Sequence, residues 1–141
     1  MSKEKIAILL PFKDHFTNSK AGSASIWVKD FNKKSKFRDN IYVCGNTDNL
    51  NDLIDKKRYL NIKFPFSNFK SKNIMYVEEF IKLNSIHNFD LIEVHNRPSY
   101  IRYFSKKKNE FQINFFFVKI LYIRRSIMYL YQIKVIFRIY F

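Results

Sequence analysis

The hydrophobic and polar positions of the chain fall into alternating blocks. Lys5-Ile6-Ala7-Ile8-Leu9-Leu10-Pro11 is an almost continuous apolar run closed by proline, the pattern of a strand buried on both faces. A polar loop from Phe12 to Gly22 follows. Ala24, Trp27, Val28 and Phe31 then recur at i, i+3, i+4 and i+7 with Lys29, Asp30, Asn32 and Lys33 between them, which predicts an amphipathic helix beginning near Ser23. Ile41-Tyr42-Val43-Cys44-Gly45 is a second strand, ending on a glycine that lets the chain turn.

The stretch from Asn46 to Ser71 is polar and irregular, with one short strand near Tyr59 to Phe64. From Asn73 to about Ile86, the stripe Ile74, Val77, Phe80 and Ile81 predicts a helix, with Glu78 and Lys82 paired at i, i+4 on its outer side. Asp90-Leu91-Ile92-Glu93-Val94-His95 is another strand. Pro98 then opens a helix carrying Tyr100, Ile101 and Phe104, and Phe111 to Val118 reads as one more strand. Strands separated by helices imply parallel β-α-β units, hence an α/β domain with a Rossmann-like parallel sheet and flanking helices.

In such sheets ligands bind outside the carboxyl ends of the strands. Two segments reach that edge. The first is the loop after the first strand, with His15, Lys20 and the small-residue run Ala21-Gly22-Ser23-Ala24-Ser25, where a ligand can approach helix-start amides. The second is His95-Asn96-Arg97-Pro98, whose imidazole, amide and guanidinium can bond hydroxyl or phosphate oxygens. A small-residue helix start also serves as a plain cap, and a strand-end histidine also serves structurally. Asp14 follows the first strand as a receiver-domain carboxylate would, without an accompanying acidic cluster.

The first strand ending in Pro11, the Ala21-Gly22-Ser23-Ala24 loop, the Trp27-Val28 helix and the segment Asp90 to Pro98 together resemble the N-terminal, acceptor-side domain of family 4 glycosyltransferases, over about Lys5 to Phe117. The resemblance implies half of a GT-B architecture. It also implies a part in the synthesis of surface polysaccharide or glycolipid by sugar transfer from a nucleotide-sugar. It gives His95 the catalytic place at the cleft, and Gly22, Ser23, Asn96 and Arg97 substrate-binding places. The partners implied are a sugar or lipid-linked acceptor and, through a second, donor-binding domain, the nucleotide-sugar. No cofactor is implied, and metal is dispensable. The expectation is therefore a domain at 1–117 that is inactive alone for want of the donor half.

Composition changes the picture at the carboxyl end. The net charge of +14 divides into +9 over residues 1–110 and +5 over Phe111 to Phe141, and that last stretch contains no acid, glycine, proline or alanine. Its Phe, Ile, Tyr, Leu and Lys are what A/T-rich codons specify in nearly any frame. Residues 118–141 are thus expected to be an atypical basic, aromatic tail translated out of frame after truncation or frameshift near residue 117. An interfacial membrane segment and a natural sheet edge are the other two readings. The charge also admits a non-catalytic fragment or a basic module binding nucleic acid or a membrane surface, although no nucleic-acid motif accompanies it. One cysteine excludes a disulfide scaffold, and His15, His87, His95 and Cys44 lack metal-ligand spacing. Walker A and G-x-G-x-x-G signatures are absent. Met1-Ser2-Lys3-Glu4 leads straight into the first strand rather than a signal sequence, so the expected location is cytoplasmic, with peripheral contact at the inner membrane face.

If the tail is out of frame, translating the coding DNA past Phe117 in the other two frames yields a glycosyltransferase-like continuation in one of them; finding it in neither rejects the frameshift.

Overall fold

A computed structural model of the chain describes residues 4–47, 53–65 and 69–106 in full and residues 116–124 and 127–135 by their backbone. Expectations that fall on 107–115, 125–126 and 136–141, including the first part of the strand expected over Phe111 to Val118, lie outside the described residues. In chain order the elements are β1 (Ile6–Leu9), α1 (Ser23–Lys34), β2 (Ile41–Gly45), β3 (Tyr59–Asn61), α2 (Lys72–His87), β4 (Leu91–His95), α3 (Pro98–Lys106), β5 (Phe116–Arg124) and β6 (Ile127–Val135). Short 3-10 turns at Arg38–Asn40 and Lys56–Arg58 lead into β2 and β3.

Four strands in the order β3-β2-β1-β4 form an all-parallel sheet. The backbone continues with β5 parallel to β4, and β6 pairs antiparallel to β5. The fold is α/β and Rossmann-like. Each of the first four predicted strands forms, and each is shorter than or equal to its apolar run. The strand expected over Phe111 to Val118 begins, as described, at Phe116 and runs on to Arg124.

Alternation along β1 and β4 divides the core into two layers, because successive side chains of a strand point to opposite faces. Ile8 and Leu10 pack with Ile41, Val43 and the α1 residues Ala24 and Val28. Ala7 and Leu9 pack with Ile92, Val94 and the α2 and α3 residues Tyr76, Val77, Phe80, Tyr100 and Phe104. All of these side chains are buried. Pro98 is the first residue of α3, where its missing N–H costs nothing.

The buried face of α2 is rotated from the predicted stripe. Its buried residues are Met75, Tyr76, Val77, Phe80 and Asn84, while Ile74 is 37% exposed. Two polar residues enter the core because each finds partners there. The Tyr76 hydroxyl donates to the Leu10 carbonyl at 2.9 Å, and Asn84 Oδ1 accepts the Phe89 N–H at 3.2 Å. The expected Glu78–Lys82 pair is not formed. Glu79 takes Lys82 at 2.6 Å, one residue nearer, while Glu78 is held by Lys70 at 2.8 Å and the Tyr103 hydroxyl at 2.7 Å. Asn88 closes α2 in the left-handed region at φ 52°, a conformation asparagine tolerates at a C-cap. No helix among the described residues is long and apolar enough to cross a membrane.

Burial raises the pKa of the Cys44 thiol above its ordinary 9.0 and those of the Tyr76 and Tyr100 phenols above their ordinary 10.0. The unfolded chain loses these protons as pH passes the ordinary values, whereas the folded chain retains them, so the stability they contribute below about pH 9 is lost as pH rises. Denaturant titrations between pH 9 and 11 are expected to show unfolding free energy falling by about 1.4 kcal/mol per pH unit for each group engaged. A flat profile would contradict the burial of all three.

Candidate functional site

The sheet sets where a site can form. β1 and β4 are neighbours, yet the chain leaves β1 for α1 on one face and leaves β4 for α3 on the other. Two loops that part from adjacent strand ends open a crevice between them, the switch point at which doubly wound sheets bind ligands. Here the crevice encloses about 400 Å³ and is walled by Pro11, Phe12, Lys13 and Asp14 after β1, Lys20, Gly22 and Ser23 at the entry to α1, and Asn96 and Arg97 after β4. Gly22, Ser23, Asn96 and Arg97, singled out from two distant segments, thus stand around one space.

Both loops turn through unusual backbone. After β1, the Asp14 N–H closes a turn onto the Pro11 carbonyl at 3.0 Å, with Lys13 at φ 71°. After β4, Asn96 has φ 50°. A non-glycine residue in this left-handed region costs about 1 kcal/mol, less for asparagine. The first turn is braced from beneath by Tyr100, whose hydroxyl accepts the Phe12 N–H at 3.0 Å and donates to Asn73 Oδ1 at 3.2 Å. Further along the loop, the Phe16 N–H donates to Thr47 Oγ1 at 2.8 Å, and the Phe16 ring stacks on Tyr59 at 5.9 Å.

Asp14 occupies the start of α1. Its Oδ1 accepts the Gly22 N–H at 3.0 Å and the Ser25 hydroxyl at 2.7 Å. Gly22 is the N-cap and offers no side chain, so this carboxylate supplies the cap from eight residues upstream and meets the positive end of the helix. A Cβ on Gly22 would lie 2.7 Å from Asp14 Oδ1 and 2.9 Å from Oδ2. A side chain at position 22 would therefore have to push the chain's own Asp14 carboxylate aside, whereas the resemblance gives Gly22 a substrate-binding place. The helix dipole favours an anion by about 0.3–1 kcal/mol, while two like charges about 4 Å apart near a protein surface repel by about 4 kcal/mol. An incoming anion cannot share this helix end with Asp14. Lys13, Lys20 and Arg97 stand elsewhere on the wall, so the crevice presents three cations and one carboxylate.

His95 lies under the crevice rather than on its wall. The ring is fully buried, with Nε2 2.8 Å from Glu93 Oε1 and the Trp27 ring 5.0 Å away. The His95–Glu93 contact is close but poorly aligned, and neither ring nitrogen has a hydrogen-bond partner among the described residues. Trp27 stacks in turn on Phe31 at 4.8 Å. His95 is thus the buried last residue of β4, directly before Asn96 and Arg97. His15 is exposed and outside the crevice wall. Cys44 is buried in the core. A second hollow of about 340 Å³ lies between α2 and α3 around Val77, Arg102 and Tyr103, and contains none of the candidate residues.

The Asp14 contribution is invisible to motif reading, since it is a single acid in a polar loop. Its one signal is its position, five residues past the end of β1 and eight residues before a glycine followed by Ser-Ala-Ser. Gly22→Ala is expected to cost about 1–2 kcal/mol in denaturant unfolding by displacing the carboxylate from the helix end. In an Asp14→Ala background most of that cost disappears; additive penalties in the double variant would reject the steric link.

No protein-family model matches the chain, and no curated protein or solved structure matches it.

Proposed function

We propose that this chain is the acceptor-binding half of a glycosyltransferase-type enzyme of GT-B architecture, working in surface polysaccharide or glycolipid synthesis. One observation carries the reading. The four residues given substrate-binding places by the resemblance, Gly22, Ser23, Asn96 and Arg97, wall a single crevice at the switch point between β1 and β4. In this reading Asn96 and Arg97 hold hydroxyl or phosphate oxygens of a sugar or lipid-linked acceptor, and Lys13 and Lys20 supply further positive charge. The nucleotide-sugar is held by a second domain. The two halves together place an acceptor hydroxyl at the anomeric carbon and stabilise the departing diphosphate. His95 acts through the end of β4, as a positioning residue for Asn96.

The reading predicts saturable binding of an undecaprenyl-linked sugar acceptor in detergent micelles, no binding of the nucleotide-sugar alone, and no sugar transfer. Arg97→Ala weakens acceptor binding about tenfold or more, the loss expected for a hydrogen bond to a charged group. Transfer on adding a donor domain in trans supports a latent enzyme. Absence of acceptor binding by folded wild-type chain, or salt-dependent binding to unrelated duplex DNA in its place, overturns the reading.

A further inference from the structure

The Asp14 carboxylate is only half used by its cap. Oδ1 takes both the Gly22 N–H and the Ser25 hydroxyl, whereas Oδ2 takes no hydrogen bond among the described residues, and Asp14 forms part of the crevice wall. The two hydrogen bonds on Oδ1 hold the group in place, so Oδ2 is an anchored acceptor in a partly buried position. An ionised carboxylate accepts hydrogen bonds and repels anions, which suits a hydroxyl and excludes a phosphate at the same spot. The remaining charged groups on the wall are Lys13, Lys20 and Arg97, all exposed. Their ammonium and guanidinium donors suit a phosphate. The crevice wall therefore combines one anchored carboxylate with three exposed cations.

We propose that Asp14 is a specificity residue that makes the crevice select a phosphorylated polyol and sets its direction, with a hydroxyl on Asp14 Oδ2 and the phosphate toward Lys13, Lys20 and Arg97. A polyol without phosphate forgoes the cations, and a phosphate without hydroxyls forgoes the carboxylate. The inference rests on the crevice being the ligand site, as in the reading above, and is independent of any transfer of sugar.

The test compares glucose 1-phosphate with inorganic phosphate as probes by calorimetric titration of the full chain. The wild type is expected to bind glucose 1-phosphate about ten- to a hundredfold more tightly than phosphate, the range that a hydrogen bond to a charged group provides. Asp14→Asn keeps an amide oxygen to cap Gly22 and Ser25 but removes the charge. It is expected to weaken glucose 1-phosphate at least several-fold while phosphate binds as well as before or better, so that the ratio between the two collapses. A merely structural role for Asp14 would weaken both probes in proportion. Should Asp14→Asn fail to fold, the wild type decides: the carboxyl carbon resonance of Asp14 shifts on adding glucose 1-phosphate and stays in place on adding phosphate. An unchanged ratio in the variant, or an unmoved carboxyl resonance with glucose 1-phosphate, overturns the proposal and leaves the acceptor reading standing. Binding of neither probe overturns the choice of crevice as well.

Discussion

The structure depends on the position of one strand. β1 pairs in parallel with β2 on one side and β4 on the other, with Ile6 level with both Ile41 and Leu91. A parallel neighbour on each side obliges the chain to cross over, and here the crossovers lie on opposite faces of the sheet. The two-layer core follows, because β1 then needs apolar side chains in both directions and has them in Ala7, Ile8, Leu9 and Leu10. The crevice follows too, because the loops after β1 and β4 must part.

What the sheet opens, a few polar contacts shape. The Tyr100 hydroxyl joins the turn after β1 to Asn73 on α2, and the Asp14 carboxylate joins that same loop to α1. Hydrogen bonds of this kind contribute about 1 kcal/mol each, more when one partner is charged. Apolar burial decides that the domain folds, and these contacts decide the shape of its ligand edge. Phe12 and Phe16 of the loop after β1 add packing against the core to these bonds.

The strands and helices were legible in proportion to how strongly burial dictated their residues. β1, β2 and β4 stand out as short apolar runs because both faces of a parallel strand are covered, and α1 because one stripe of it is. The face of α2 was misplaced by about one residue because Tyr76 and Asn84 look polar in sequence and become core residues only when carbonyl and amide partners exist for them. Such partners lie far away in the chain, Leu10 for Tyr76 at a separation of 66 residues. The Glu78–Lys82 pairing failed for a related reason, since Lys70 and Tyr103 compete for Glu78 from outside the helix. Gly22, Ser23, Asn96 and Arg97 were legible as edge residues from strand ends alone. The depth of His95 and the role of Asp14 were not, because burial at a strand end and a cap supplied at a distance depend on three-dimensional neighbours that no local pattern encodes.

Lys13 illustrates a conflict between local and global preference. At φ 71° the backbone asks for glycine, and a lysine there is locally frustrated. Folding sequences remove such conflicts where they can, and one that stays has to be held by the surrounding structure. The Lys13 side chain stands on the crevice wall without an acidic partner among the described residues, and its one recorded contact is a distant approach to the Phe12 ring, 6.0 Å from the ring centre. Among the described residues that contact is too slight to offset the backbone strain. The strain is therefore carried by the turn itself, in which the Asp14 N–H closes onto the Pro11 carbonyl.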